Sequence, residues 1–228
     1  MRGSNILQSR RSPIWQVHQV EQSASEMHSK DLPSERGIWN VNISNNALVL
    51  GSGQRADAVN LEACARANVD LVHRRTGGGA VFLEIGQHLW VDVVVPVDDG
   101  LWSADVVTSS RWIGDAWRRV LLTLGETQLS VHRGRAERSM WSKLVCFAGV
   151  GPGEVLTNGK KVVGISQRRT KESARFQCFV HRRWAPEKFL PLLNVPRPSI
   201  EELAGLVAEA DHHPNLLFES FVEELQSL

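Results

Sequence analysis

Asn158-Gly159 is the dipeptide in this chain that leaves the backbone least choice. It separates two short runs of strand character, residues 154–157 and 161–165. A two-residue reversal between strands needs positive φ at both central positions, which asparagine and glycine tolerate far better than other residues. The pattern therefore predicts an antiparallel hairpin here. Other segments read as strands by the same logic. Residues 47–50 are a short apolar run closed by Gly51-Ser52-Gly53, and residues 70–75 and 80–83 flank Gly77-Gly78-Gly79. Residues 88–95 form a β-branched run ended by Pro96, expected with the two preceding strands at the centre of one sheet, and residues 176–184 supply a further strand.

Helical spacing alternates with these strands. Leu61, Cys64 and Ala65 share a face within residues 59–67, and Ile113, Trp117, Val120, Leu121 and Leu124 share one within residues 104–124, ahead of Gly125. The second set predicts a long amphipathic helix covering a sheet face. Pro186 opens a helical stretch to residue 193, Ser199 and Glu202 form a capping box, and a last helix is expected over residues 215–225. The class is α+β, a mostly antiparallel mixed sheet flanked by helices. No linker or repeat divides residues 13–228, which are read as one domain, while residues 1–12 read as a disordered leader.

A chain of 228 residues with 42% hydrophobic and 22% charged side chains can build a sizeable core. Lys+Arg 26 against Asp+Glu 25 leaves a net charge of +1, too balanced for a protein that neutralises a run of phosphates, so no nucleic-acid partner is expected. The longest apolar run, residues 89–97, is broken by Asp92 and Pro96 and falls well short of the roughly 20 residues a membrane helix needs. No secretory h-region follows the N-terminus, and a cytoplasmic location with no membrane partner is expected. Three cysteines, an odd number with no CxxC pair, argue against a disulfide framework or a zinc site.

Chemistry concentrates in three places. Arg74-Arg75-Thr76-Gly77-Gly78-Gly79-Ala80-Val81 is a strand that ends in cations and runs into three residues without side chains, where backbone N–H groups can face an anion. In Gly159-Lys160-Lys161-Val162-Val163-Gly164, strand alternation sends the two lysines to opposite faces, one of them into the interior with Val163 and Ile165. A buried ammonium there needs an anion or polar partner, and Gly164 permits close approach beside it. Cys146, in Leu144-Val145-Cys146-Phe147 before the glycine-rich residues 149–153, is a candidate nucleophile near Lys161 and Arg74. Two lysines exposed at a turn, a flexible glycine loop and a packed thiol are the competing readings. Cys64 and Cys178 are read as packed.

Taken in order, Arg74-x-Thr76-Gly77-Gly78-Gly79-Ala80-Val81 and, about eighty residues on, Asn158-Gly159-Lys160-Lys161-Val162-Val163-Gly164-Ile165-Ser166-Gln167-Arg168-Arg169 resemble the paired signatures of the lipoate-protein ligase/biotin-protein ligase catalytic-domain family, in its lipoyl branch. The similarity covers roughly residues 40–195. Biotin ligases interrupt the first motif with an arginine, so biotin is the poorer match. The resemblance implies that Arg74, Thr76, Gly77, Gly78, Gly79, Ala80 and Gly164 line the acyl site and that Lys161 contacts the acyl carbonyl. It implies attachment of a lipoyl or octanoyl group to a lysine of lipoyl domains, those of 2-oxoacid dehydrogenase complexes or of the glycine cleavage H protein.

The family branches by chemistry. Some members transfer the acyl group through a cysteine in a Cys-Phe segment, as from acyl carrier protein, and Cys146-Phe147 matches that placement; this route needs no cofactor. Others are ligases that use ATP and Mg²⁺ to make an acyl-adenylate. The chain departs from the family at Leu83-Glu84, where a His-Asp pair is common, and at Gln177-Cys178-Phe179, where Gln-His-Gly is common. Those departures keep open a third reading, a non-catalytic protein that binds acyl groups or lipoyl domains.

Overall fold

A computed structural model describes residues 14–194 and 196–228; the leader read at residues 1–12 lies outside the described residues. Among the described residues, ten strands fall into two sheets. The larger is seven-stranded and contains β1 (Gln16–Gln22), β2 (Gly37–Ile43), β6 (His88–Pro96), β10 (Ser173–His181), β9 (Lys160–Arg169), β8 (Val155–Thr157) and β7 (Leu129–Val131) in that spatial order. The smaller is three-stranded, with β3 (Ala47–Leu50) between β4 (Asp70–His73) and β5 (Val81–Leu83). Pairing is antiparallel except for β1 with β2 and β3 with β4.

The α+β expectation holds, with one correction to its layout. The strands around the triple glycine and the 88–95 run were expected side by side in one sheet. Instead β4 and β5 belong to the small sheet, and only β6 lies in the large one. Alternation along β6 shows why both layers form. Leu89, Val91, Val93 and Val95 point into a core shared with α3 (Arg111–Thr123) and α6 (Pro214–Gln226), through Trp117, Leu121, Leu217 and Phe221. Trp90 and Val94 point the other way, against Val49, Val72 and Leu83 of the small sheet. A strand apolar on both faces needs a cover on each.

Helix α3 starts at Arg111 rather than near residue 104, and Gly125 takes φ +94 just beyond its end. The small sheet's outer face is covered by α2 (Leu61–Arg66), which buries Cys64, by α4 (Pro186–Phe189) with the 3-10 turn Leu190–Leu192, and by α5 (Ile200–Ala204) under its Ser199 and Glu202 capping box. The segment α1 (Ala24–Ser29) crosses between β1 and β2. Among the described residues no helix is long and apolar enough to cross a membrane.

The hairpin forms as predicted, with Asn158 at φ 50 and Gly159 at φ 76. Its register holds an irregularity that alternation alone does not show. Val155 stands opposite Val163 and Leu156 opposite Lys161, so Val162 is an extra residue in β9. Val162 and Val163 both pack into the core on the helix side. Lys161 is interior, 2% exposed, but on the opposite face from Val163 and Ile165, where alternation had placed it.

Candidate active site

Between the sheets lies a cavity of about 580 Å³. Val49, Val81, Leu83 and the glycines 77–79 form one wall, and Trp90, Gln177, Phe179, Gly164 and Ser166 form the other. His28 of α1 stacks on Trp90 with ring centroids 4.6 Å apart. Burial, followed by the nearby cations Arg175 and Arg74, pulls the His28 imidazole down to about 3, so it is neutral near pH 7.

The glycine strand and the cysteine segment are tied together by main chain. Ala80 N–H donates to Leu144 O at 2.7 Å and Cys146 N–H donates to Ala80 O at 2.9 Å. This contact needs Gly79 bare, since a Cβ there would meet Val145 and Cys146 backbone atoms at 2.6–2.7 Å. Gly78 adopts φ +102, and among the described residues nothing accepts from the N–H groups of Gly77, Gly78 or Gly79. Thr76 stands slightly behind the wall and links the glycine loop to β9 by its Oγ1–H to Ser166 Oγ at 3.3 Å. Gly164 lies under the Phe147 ring, 3.1 Å from where its Cβ would be.

The buried ammonium of Lys161 finds three acceptors. It donates to the Cys146 carbonyl at 2.9 Å and to both carboxylate oxygens of Glu154 at 3.0 and 3.2 Å, and it sits 4.8 Å from the Phe147 ring centroid. Glu154, itself 5% exposed, also accepts from Gly151 N–H at 2.6 Å and Ile165 N–H at 3.1 Å. The main chain of Lys161 is bracketed by Leu206 and Ala208, through N–H to Leu206 O and O from Ala208 N–H. Glu154 is a functional residue that strand alternation and the motifs leave unmarked. The signal was present, because Glu154 is the only acid between Glu137 and Glu172 and a buried lysine needs one.

Arg74 is 6% exposed and braces the glycine loop from inside, donating to Gly77 O and Gly79 O at 2.8 Å and to Val49 O at 3.5 Å. Its Nη2 lies 3.7 Å from Cys146 Sγ. Cys146 opens a 3-10 turn, Cys146–Ala148, and is half-buried at the cavity wall. Arg74, Gly77, Gly78, Gly79, Cys146, Lys161 and Gly164 thus line one cavity, whereas Thr76 and Ala80 do not reach it. Cys178 and Leu83, positions that depart from the family pattern, also touch it, whereas Glu84 turns away to pair with Lys188 at 2.5 Å. Burial pushes the Cys178 thiol far up, leaving it protonated.

Comparison with known proteins gives a consistent picture. The family profile described as "Lipoyl protein ligase A/B catalytic domain" matches residues 18–203. Octanoyltransferase LipM of Clostridioides difficile (strain 630) is 26% identical over 148 residues, 65% of this chain and 54% of that protein; the chain spans about half the length of this relative. Among solved structures, a bipartite lipoate protein ligase with its E2 lipoyl domain from Thermoplasma acidophilum is similar with a TM-score of 0.66 at 19% identity, over 92% of this chain and 83% of that one. Lipoate-protein ligase A bound with ATP gives 0.64 at 18% identity, over 92% and 85%. At these identities the structural likeness is one of fold.

Proposed function

Because this chain belongs to the lipoyl protein ligase A/B catalytic-domain family, we propose that it moves an octanoyl or lipoyl group from a thioester donor to a lysine of a lipoyl domain, with Cys146 carrying the acyl group in between. The reading rests on one observation: Cys146 stands at the wall of the inter-sheet cavity, held by the glycine strand on one side and by Lys161 on the other. The similarity to an octanoyltransferase supports the same choice.

The cavity suits the cargo. Val49, Val81, Leu83, Trp90 and Phe179 offer apolar walls. An acyl chain with about seven carbons beyond its carbonyl gains roughly 5–6 kcal/mol from burial at ~0.8 kcal/mol per methylene. The sulfur of Cys146 attacks the donor's thioester carbonyl, a C–S bond to Cys146 forms, and the donor's C–S bond breaks to release its thiolate. The acceptor amine then attacks, a C–N bond forms and the C–S bond to Cys146 breaks, regenerating its thiolate; the amine's proton passes to solvent and balances the one taken up there by the released donor thiolate. Negative charge develops on the acyl oxygen in both steps. The N–H groups of residues 77–79 can receive it, and Lys161 reaches it by exchanging the Cys146 carbonyl for the acyl oxygen.

This route uses no cofactor. In the ligase alternative, Cys146 is merely packed and ATP with Mg²⁺ activates the free acid. Among the described residues no group of three or more His, Cys, Asp or Glu side chains is placed to hold a metal, which fits magnesium arriving on the nucleotide's phosphates. One assay separates the readings. A lipoyl domain is offered octanoyl-acyl carrier protein, or free octanoate and lipoate with Mg-ATP, and products are read by intact mass for the wild type and Cys146→Ala. The transferase reading expects modification from the thioester donor, a hydroxylamine-labile adduct on the enzyme, and loss of both in Cys146→Ala. Full transfer by Cys146→Ala removes the nucleophile assignment, modification only with ATP favours the ligase, and acyl binding without any product favours a non-catalytic binder.

A further inference from the structure

Two buried cations border this cavity, and among the described residues only one of them has an anion. Lys161 is matched by Glu154. Arg74 is surrounded by main-chain carbonyls, those of Val49, Gly77 and Gly79, and among the described residues no carboxylate lies within ion-pair distance of it. Carbonyl dipoles accept some of its hydrogens but supply no counter-charge in a site removed from water. The remaining polar atom beside it is Cys146 Sγ, 3.7 Å from Nη2. Nη2 donates to Gly77 O and Gly79 O and also reaches Cys146 Sγ, so the guanidinium meets the sulfur through a shared N–H as well as through its charge.

The backbone is shaped around this approach. Gly78, at φ +102, lies between the two groups, and a Cβ there would stand 2.8 Å from Nη2 and 3.8 Å from Sγ. The sulfur takes on negative charge in the transfer chemistry, and a fixed cation beside it stabilises that charge.

We propose that Arg74 is a catalytic residue, the cation that stabilises the negative charge Cys146 Sγ carries as it attacks and as it leaves, while the charge of Lys161 is already taken up by Glu154. The catalytic meaning rests on the transferase reading above, but the charge assignment is tested without turnover. The rate of alkylation of Cys146 by iodoacetamide at pH 7 is followed by intact mass and peptide mapping, with Cys64 and Cys178 buried and slow.

Wild-type Cys146 is expected to react faster than glutathione under the same conditions. Arg74→Gln slows it by roughly tenfold or more, as expected when an attacking sulfur loses its neighbouring cation. Arg74→Lys retains most of the rate, and Arg75→Gln, altering an exposed neighbour that pairs with Asp31, leaves it unchanged. Should Arg74→Gln fail to fold, the wild-type and Arg74→Lys rates still decide. A wild-type rate no faster than glutathione, no slowing in Arg74→Gln, or equal slowing in Arg75→Gln overturns the proposal. Failure of these arms with a Cys146→Ala enzyme that cannot transfer sinks the Arg74 role alone. Success of these arms with a Cys146→Ala enzyme that still transfers sinks the transferase route alone.

Discussion

Lys161 sits in the wall of a largely apolar cavity because Glu154 meets it there, and the carboxylate is itself held by two backbone N–H groups. With the two groups 2% and 5% exposed, water cannot replace either partner. Glu154→Gln leaves the ammonium buried without a counter-charge, so a loss of about 3–5 kcal/mol in stability is expected. Urea unfolding of the wild type and the variant measures it; a loss under about 1 kcal/mol would mean that solvent reaches the site. At this scale the sequence announced residue types better than partners. A lysine in a strand of apolar neighbours demands an anion, and the sole acid nearby in the chain supplies it. The sequence sets Cys146 near Lys161 and Arg74, but their contact spans 72 positions and only the fold fixes its geometry.

Short elements here are held by their ends and by what they pack against. Helix α1 has only six residues, too few to persist alone. It is started by a capping box between Ser23 and Glu26 and tied down by Arg175, which donates to Met27 O and Lys30 O and pairs with the buried Asp92 of β6. This places His28 on Trp90 at the cavity wall. Ser23→Ala is expected to cost about 1 kcal/mol in thermal or urea unfolding, through the lost cap. It should also weaken binding of an octanoyl ligand measured by calorimetry, and unchanged affinity would show that α1 does not shape the cavity. The capping boxes at Ser23 and Ser199 are both written in the sequence, as is the Asn158-Gly159 turn. The parallel pairing of β1 with β2 is not, because it has no tight turn to mark it.

Across the whole molecule, buried imidazoles couple folding to acid. Burial pulls His88 down to about 4 and His181 down to about 3, and both lie in the aromatic cluster with Phe179 beside the cavity. The unfolded chain protonates these groups near pH 6.5 while the folded one resists. Their stabilising contribution is therefore complete above about pH 6.5 and is lost as pH falls toward 4, at up to about 1.4 kcal/mol per pH unit for each histidine. Unfolding free energies at pH 7 and pH 5 should show a clear drop at the lower pH, and equal values would mean these rings are not held neutral. The α+β class, the hairpin, the main helices and the three chemistry-bearing segments were determined by the sequence itself, since turn chemistry, periodicity and side-chain type are local properties. Tertiary structure decided the separation of β4 and β5 from β6, because an apolar strand does not say which neighbour covers it. It also decided the face on which Lys161 lies. One extra residue at Val162 reverses the alternation of β9, and that bulge is a property of how β8 and β9 pair, which residue order along one strand cannot express.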